Sequence, residues 1–331
     1  MKTKNYKINY NNYNKKHLEN IDRAIEKAKL LYDNCICCGH LCKVNRNQNK
    51  IGRCKIFEDN NHIKVASRTL HFGEEPMLVG KNGSGTIFFS NCNLNCVFCQ
   101  NYQISSAGIG EIIDIETLAL YFLELEKKCA NNINLVSASH VIYPILKALK
   151  IALNKGLNLP IVYNTNGYDT EELLDSLDGI VDIYLPDLKY LFDEKAIKYS
   201  RAENYFKVAI KAIEIMKNQV GDLILDDNGI AKSGIIIRHL ILPNNQSDSY
   251  DILIELKERG FLESTISLMS QYNPEFKAKD FDEINRKLYF KEYNDLINYA
   301  LDLGFENILS QEMESSETYL PDFTLEIPFQ F

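Results

Sequence analysis

The sequence predicts a parallel α/β fold, and three observations point there. Short apolar, β-rich runs recur between residues 86 and 271. Helical patterns separate most of them, and 331 residues are ample to bury a sizeable core. Parallel neighbours need crossover connections, which an alternation of strand and helix supplies. Periodicity alone leaves an open sheet and a partial barrel both standing.

In chain order, a helix is expected over residues 17–32, with Leu18, Ile21, Ile25, Ala28 and Leu31 on one face. A cysteine-rich segment follows, then a strand at 62–70. Further strands are expected at 86–90, 133–138, 160–165, 180–185, 234–242 and 265–271. The intervening helices are expected at 114–129, 143–155, 170–177, 202–219 and 247–259, with Gly156 and Gly260 in C-terminal cap positions. A last helix is expected at 287–303. The chain thus divides into a helical, cysteine-rich extension (1–70), a barrel-type α/β unit (71–285) and a C-terminal helix and tail (286–331).

The charge balance, 37 Lys+Arg against 45 Asp+Glu, gives a formal net charge of −8. Such a chain lacks the concentrated positive field that a nucleic-acid partner requires. Residues 1–10 are polar, with no stretch of signal-peptide type. The most apolar run, residues 235–242, is short and interrupted by Arg238 and His239. No membrane partner is expected, and the expected location is cytoplasmic, where thiols stay reduced.

That setting decides how nine cysteines are read. Eight fall in two groups, residues 35–54 and 92–99, and closely spaced reduced cysteines favour metal or cluster ligation. Cys129 stands apart and is expected to be a buried free thiol. Residues 90–101 read SNCNLNCVFCQN, placing Cys92, Cys96 and Cys99 in C-x3-C-x2-C spacing with Phe98 before the third. Three thiolates on one loop can hold three irons of a [4Fe–4S] cube and leave the fourth open. Zinc normally takes four protein ligands, and the loop offers no fourth. The glycine-rich run GKNGSGT (80–86) is not a phosphate loop, because it precedes a strand and lacks the Walker spacing.

This motif, placed after the first barrel strand, resembles the radical S-adenosylmethionine (SAM) superfamily. More narrowly the chain is similar to its pyruvate formate-lyase-activating-enzyme-like branch of uncharacterised iron–sulfur proteins. The resemblance runs through VNR (44–46), HFGEEP (71–76), residues 83–105, NINLVSASH (132–140), VYNTNGY (162–168), DIYLPDLKY (182–190) and IIIRHLILP (235–243). It implies a partial (β/α)6 barrel with an N-terminal cysteine-rich metal-binding extension. It also implies a [4Fe–4S] cluster on Cys92, Cys96 and Cys99, and SAM as cofactor. The implied chemistry is reductive cleavage of SAM to a 5′-deoxyadenosyl radical that abstracts a substrate hydrogen, with a flavodoxin- or ferredoxin-type electron donor. The substrate is an unidentified small molecule or protein, a glycyl radical enzyme among the candidates.

In barrels, function gathers at the C-terminal ends of strands. Those ends carry Ser137, Ser139 and His140; Thr165 and Asn166; Asp187 and Lys189; Arg238 and His239; and Gln271 and Tyr272. Asp187 and Lys189, two apart, should face the same side of an extended backbone, and the bland reading of the pair is a strand-end ion pair. The resemblance implies cofactor contacts from Phe98, Ser137, Ser139, Thr165, Asn166, Asp187, Lys189 and Arg238. Asn164 stands where the family carries aspartate, and SASH (137–140) where it carries GGE. The histidines read as structural groups.

The first cysteine group places Cys35, Cys38, Cys42 and Cys54 in C-x2-C-x3-C-x11-C spacing, with Cys37 and His40 beside them. Four thiolates suit a structural Zn2+ site or a closed iron–sulfur cluster. The competing functional class is an iron–sulfur electron-transfer or scaffold protein that leaves SAM intact.

Overall fold

The computed structural model describes residues 12–313, 320–325 and 328–329. The polar N-terminal residues 1–11 lie outside that range. Helix α1 (Tyr13–Asp33) opens the described chain, capped by the Asn12 side chain, which accepts from Lys15 N. Strand β1 (His62–His71) leads through a single helical turn, α2 (Pro76–Val79), into β2 (Ser84–Phe89). A second turn, α3 (Tyr102–Ser105), and the short strand β3 (Glu111–Asp114) follow. Then come α4 (Ile115–Lys127), β4 (Ile133–Val136), α5 (Ile142–Asn154), β5 (Ile161–Thr165), α6 (Glu171–Leu177) and β6 (Ile183–Pro186). The second half runs α7 (Asp193–Ser200), α8 (Tyr205–Val220), β7 (Ile224–Leu225) and β8 (Ala231–Leu240). It ends with α9 (Ser249–Glu258), β9 (Thr265–Met269), α10 (Phe290–Leu303) and β10 (Ile308–Ser310).

The sheet order is β10-β9-β8-β6-β5-β4-β2-β1-β3, with β7 paired to β8. Strands β2, β4, β5, β6, β8, β9 and β10 run parallel, and β1 is antiparallel to both β2 and β3. The six strands expected to be parallel are all present, in sequence-ordered adjacency, as a partial barrel requires. Strands β2, β5, β6 and β9 are buried at every position, as strands covered on both faces must be. The sheet begins at His62 and ends at Ser310, on both sides of the 71–285 span expected for it.

Alternation along each strand separates two apolar layers. Tyr163, Tyr184, Ile235, Ile237 and Leu268 join the large core beneath the helices. Val162, Ile183, Leu185 and Ile236 point the other way and pack around Leu78 of α2. The segment after β1 thus turns back inside the curve of the sheet and plugs its base. Side chains of Asn131 and Asn132 tie the plug by donating to the carbonyls of Val79 and Leu78, at 2.6 and 2.9 Å. Helix α1 is fixed to the barrel by Asp182, which accepts from Lys16 Nζ at 2.7 Å and pairs with His17 Nε2 at 2.9 Å. Among the described residues, no helix is long and apolar enough to cross a membrane.

Three local expectations are corrected. The helix expected at 202–219 is α8 and begins only at Tyr205, because Arg201 and Asn204 take left-handed backbone conformations between it and α7, a helix that was not expected. The expected strand at 180–185 begins only at Ile183, since residues 180 and 181 close a turn onto the Leu177 carbonyl. Cys129 is exposed rather than buried, because it sits past the end of α4 with φ of +65° and turns out of the helix face.

Candidate active site

A cavity of about 780 Å³ opens at the C-terminal ends of the parallel strands. The loop after β2 carries Cys92, Cys96 and Cys99 into its wall, opposite strand-end residues of β5, β6, β8 and β9. Each sulfur is met by a hydrogen-bond partner. Leu94 N and Asn166 Nδ2 donate to Cys92 Sγ at 3.4 and 3.5 Å. Ser200 Oγ donates to Cys96 Sγ at 3.0 Å, and Ser105 Oγ lies 3.2 Å from Cys99 Sγ. Burial pushes the Cys92 thiol up to about 12 and Cys99 to about 11, each helped by the neighbouring Cys96 charge. Burial also raises Cys96, against the pull of Lys189. Three such thiols give up their protons only to a cationic partner, which is the donor set a [4Fe–4S] cube uses. Among the described residues, no three His, Cys, Asp or Glu side chains surround a point that a single metal ion would fill.

Beside the cysteines lies a buried polar network. Lys189 Nζ donates to Asp187 Oδ2 at 2.6 Å, so the two share one side as their spacing predicts. Arg238 Nε donates to Asp187 Oδ1 at 2.9 Å and Nη2 to Asn164 Oδ1 at 2.7 Å. Its Nη1 lies 3.5 Å from Glu74 Oε2, and Glu74 Oε1 accepts from Asn134 and Asn164 at 3.1 and 3.3 Å. Burial pushes the Asp187 carboxyl up, but Arg238 and Lys189 outweigh it and hold the group below the usual carboxylate range. Burial raises Glu74 and Glu75, with Arg238 opposing. Arg238 is therefore no surface ion pair but the hub of the cavity floor.

Ser137, Thr165 and Asn166 also line the cavity. Thr165 Oγ1 donates to Asp169 Oδ2 at 2.5 Å, which orients the hydroxyl at the end of β5. Gly167 has φ of +78°, and a Cβ there would stand 2.2 Å from the Asp187 carbonyl oxygen, so only glycine lets the ends of β5 and β6 meet this closely. Two expected contacts lie elsewhere. Phe98 is buried in the core, edge-on to Tyr272 at 5.8 Å between ring centroids. Ser139 accepts from Tyr163 OH at 3.0 Å and walls a different void, because Ser137 takes φ of +54° and breaks the strand alternation. Glu74 and Glu75 are among the cavity residues that strand-end reasoning missed, and the HFGEEP run was their one signal.

That second void, about 10 Å³, lies among Cys35, Cys37, Cys38, Cys42 and Cys54. Arg46 Nη2 donates to Cys54 Sγ at 2.6 Å, and Arg53 N to Cys42 Sγ at 3.5 Å. The Cys37 thiol donates to Cys35, which together with Arg46 brings Cys35 down to about 6 despite burial; Cys37 itself rises. Burial pushes Cys38 up to about 12. Asn93 joins the two cysteine groups. It follows Cys92, its Oδ1 accepts from Asn166 Nδ2 at 2.6 Å, and its carbonyl pairs with His40 Nε2 at 2.8 Å. His140 and His239 are structural, as expected. His140 Nε2 pairs with the Ser90 carbonyl at 2.9 Å, and His239 bridges the Leu188 carbonyl and Ser249 Oγ at 2.6 and 2.8 Å.

A profile of the radical SAM superfamily matches residues 86–227. The chain is 32% identical over 315 residues to the uncharacterized protein MJ0674 of Methanocaldococcus jannaschii, spanning 91% of this chain and 86% of that one. It is also similar to the crystal structure of methylornithine synthase (PylB), at 15% identity and a TM-score of 0.43, over 68% of this chain and 70% of that one. Residues 86–227 thus carry a radical SAM superfamily domain, and the chain belongs to one family with MJ0674.

Proposed function

We propose that this protein cleaves SAM reductively and uses the resulting radical to take a hydrogen atom from a substrate held in the same cavity. The observation that carries the reading is the convergence of the Cys92, Cys96 and Cys99 sulfurs and the Asp187–Lys189–Arg238 network on one cavity of about 780 Å³. When bound, a [4Fe–4S] cluster and SAM supply an electron and a 5′-deoxyadenosyl radical.

The chain's own residues supply place and polarity. Cys92, Cys96 and Cys99 hold three irons. Lys189 presents an ammonium beside the cysteines, suited to a methionyl carboxylate. Thr165 and Asn166, fixed by Asp169 and Asn93, offer polar groups to the cofactor at the end of β5. Arg238 keeps Asp187 ionised, which in turn holds the Lys189 ammonium in place. Phe88 and Phe329 wall one flank of the cavity and exclude water there.

Reconstituted protein given SAM and a strong reductant should form 5′-deoxyadenosine, and Cys92, Cys96 and Cys99 replaced together by Ala should abolish it. Undiminished cleavage in that variant sinks the reading. A glycyl radical protein is the finer proposal for the substrate, supported by the likeness to pyruvate formate-lyase-activating enzymes. Its signature is a glycyl radical in electron paramagnetic resonance after incubation with a candidate partner. The same reading gives Cys35, Cys38, Cys42 and Cys54 to a second metal centre.

A further inference from the structure

We infer that the N-terminal cysteines hold a second iron–sulfur cluster and not a zinc ion, with Cys35, Cys38, Cys42 and Cys54 as ligands and Arg46 and Asn93 as donors to its sulfurs. The inference rests on the second-centre part of the reading above and is independent of SAM cleavage.

The size of the void separates the two metals. Its volume of about 10 Å³ is room for the centre of roughly one water-sized sphere. A tetrahedral zinc ion sits about 2.3 Å from each sulfur, and walls that close leave no such room. A cube places iron and bridging sulfide between its centre and the thiolates, so its walls stand wider. The N-terminal group resembles Cys92, Cys96 and Cys99, the loop on which this superfamily carries its cube, in one respect: among the described residues, neither gathers three ligating side chains around a single ion.

The unused donors point the same way. Among the described residues, Arg46 Nε and Asn93 Nδ2 are buried without a hydrogen-bond partner, and both residues wall the void. A buried donor left unpaired costs about 1–3 kcal/mol. Of the four thiolates, Cys54 already accepts from Arg46 Nη2 and Cys42 from Arg53 N, which leaves Cys35 beside Arg46 and Cys38 beside Asn93. Bridging sulfides are extra acceptors that only a cluster brings. The Arg46 guanidinium, 8% exposed, also supplies the positive charge that an anionic occupant needs in so buried a place. Cys37, the fifth cysteine on the void, falls outside the C-x2-C-x3-C-x11-C spacing that defines the ligand set. The second cluster then lies across Asn93 from the first.

Metal and acid-labile sulfide analysis of the anaerobically reconstituted wild type tests this directly. Two cubes require about eight irons and eight sulfides per chain without zinc. About four irons with one zinc, or about four irons and nothing more, overturns the inference. The Cys92/Cys96/Cys99→Ala variant should keep about four irons, with a spectrum that SAM does not move. If that variant fails to fold, the wild-type count still decides. Arg46→Gln should lower the reduction potential of the retained cluster at unchanged circular dichroism, and an unshifted potential overturns the donor assignment. A wild type with two cubes that forms no 5′-deoxyadenosine leaves this inference intact and defeats the SAM reading alone.

Discussion

Arg238 donates to Asp187 at 2.9 Å from a side chain 85% removed from solvent, and the Asp187 side chain is as deeply buried. The two residues come from adjacent parallel strands, β8 and the end of β6, and their backbones bridge at the same level. Both Asp187 oxygens are occupied, Oδ1 by Arg238 and Oδ2 by Lys189. Asn164 at the end of β5 accepts from Arg238 Nη2 at 2.7 Å, so the guanidinium spans three strands.

Arg238→Met should leave Asp187 and Glu74 buried without their cation. Removing one partner of a buried pair costs on the order of 3–5 kcal/mol. Urea unfolding should show that loss, and Arg238→Met with Asp187→Asn together should cost less than the sum of the two alone. Strict additivity would contradict direct coupling.

Lys189→Met tests cofactor binding. The change removes a charge-assisted contact while Arg238 still neutralises Asp187. Half-saturation for SAM should rise by about tenfold or more, since one such bond is worth at least about 1.5 kcal/mol. An unchanged half-saturation with a normal fold would show that Lys189 serves Asp187 only.

Leu78→Ala tests the plug. Leu78 is fully buried among Val162, Ile183, Leu185 and Ile236 at the base of the barrel. The cavity left behind should cost about 2–5 kcal/mol in unfolding free energy. Because Leu78 is not among the cavity-lining residues, 5′-deoxyadenosine formed per folded molecule should stay near the wild-type value.

Much of this was legible in the sequence, for physical reasons that differ by residue. The β-branched runs announced the parallel strands, since burial on both faces leaves no other composition. The Cys92–Cys99 spacing is local, so one loop declared its own chemistry. Asp187 and Lys189 were legible because period-two geometry needs no tertiary information. Glu74 was not, because nothing local says that the chain after β1 turns back into the barrel to meet Arg238, 164 positions later. Strand β10 was hidden too: three residues, Ile308–Ser310, become a strand only by pairing with β9. Ser139 was misplaced by a single dihedral, the positive φ at Ser137 that ends the alternation early.

Acid should destabilise the fold through its histidines. His71, His140 and His239 are 6%, 2% and 1% exposed, and burial pushes each imidazole down to about 4. An unfolded histidine titrates near ~6.5, so between there and about 4 the unfolded chain binds more protons. Their contribution is therefore complete above pH ~6.5 and is lost as pH falls through about 4, with an upper size on the order of 3 kcal/mol for each group. Asp169 works in the opposite sense. Burial pushes its carboxyl up to about 6, so its contribution is present below pH ~3.9 and lost as pH rises through about 6. Glu74 and Glu75, also raised by burial, act in the same sense as Asp169, so the histidine contribution is read by difference between variant and wild type. Anaerobic urea unfolding between about pH 7 and 4.5 should show His239→Gln losing less stability on acidification than the wild type. Glutamine can keep the Leu188 and Ser249 hydrogen bonds without titrating. A slope unchanged in His239→Gln would mean that this imidazole is already charged in the folded protein.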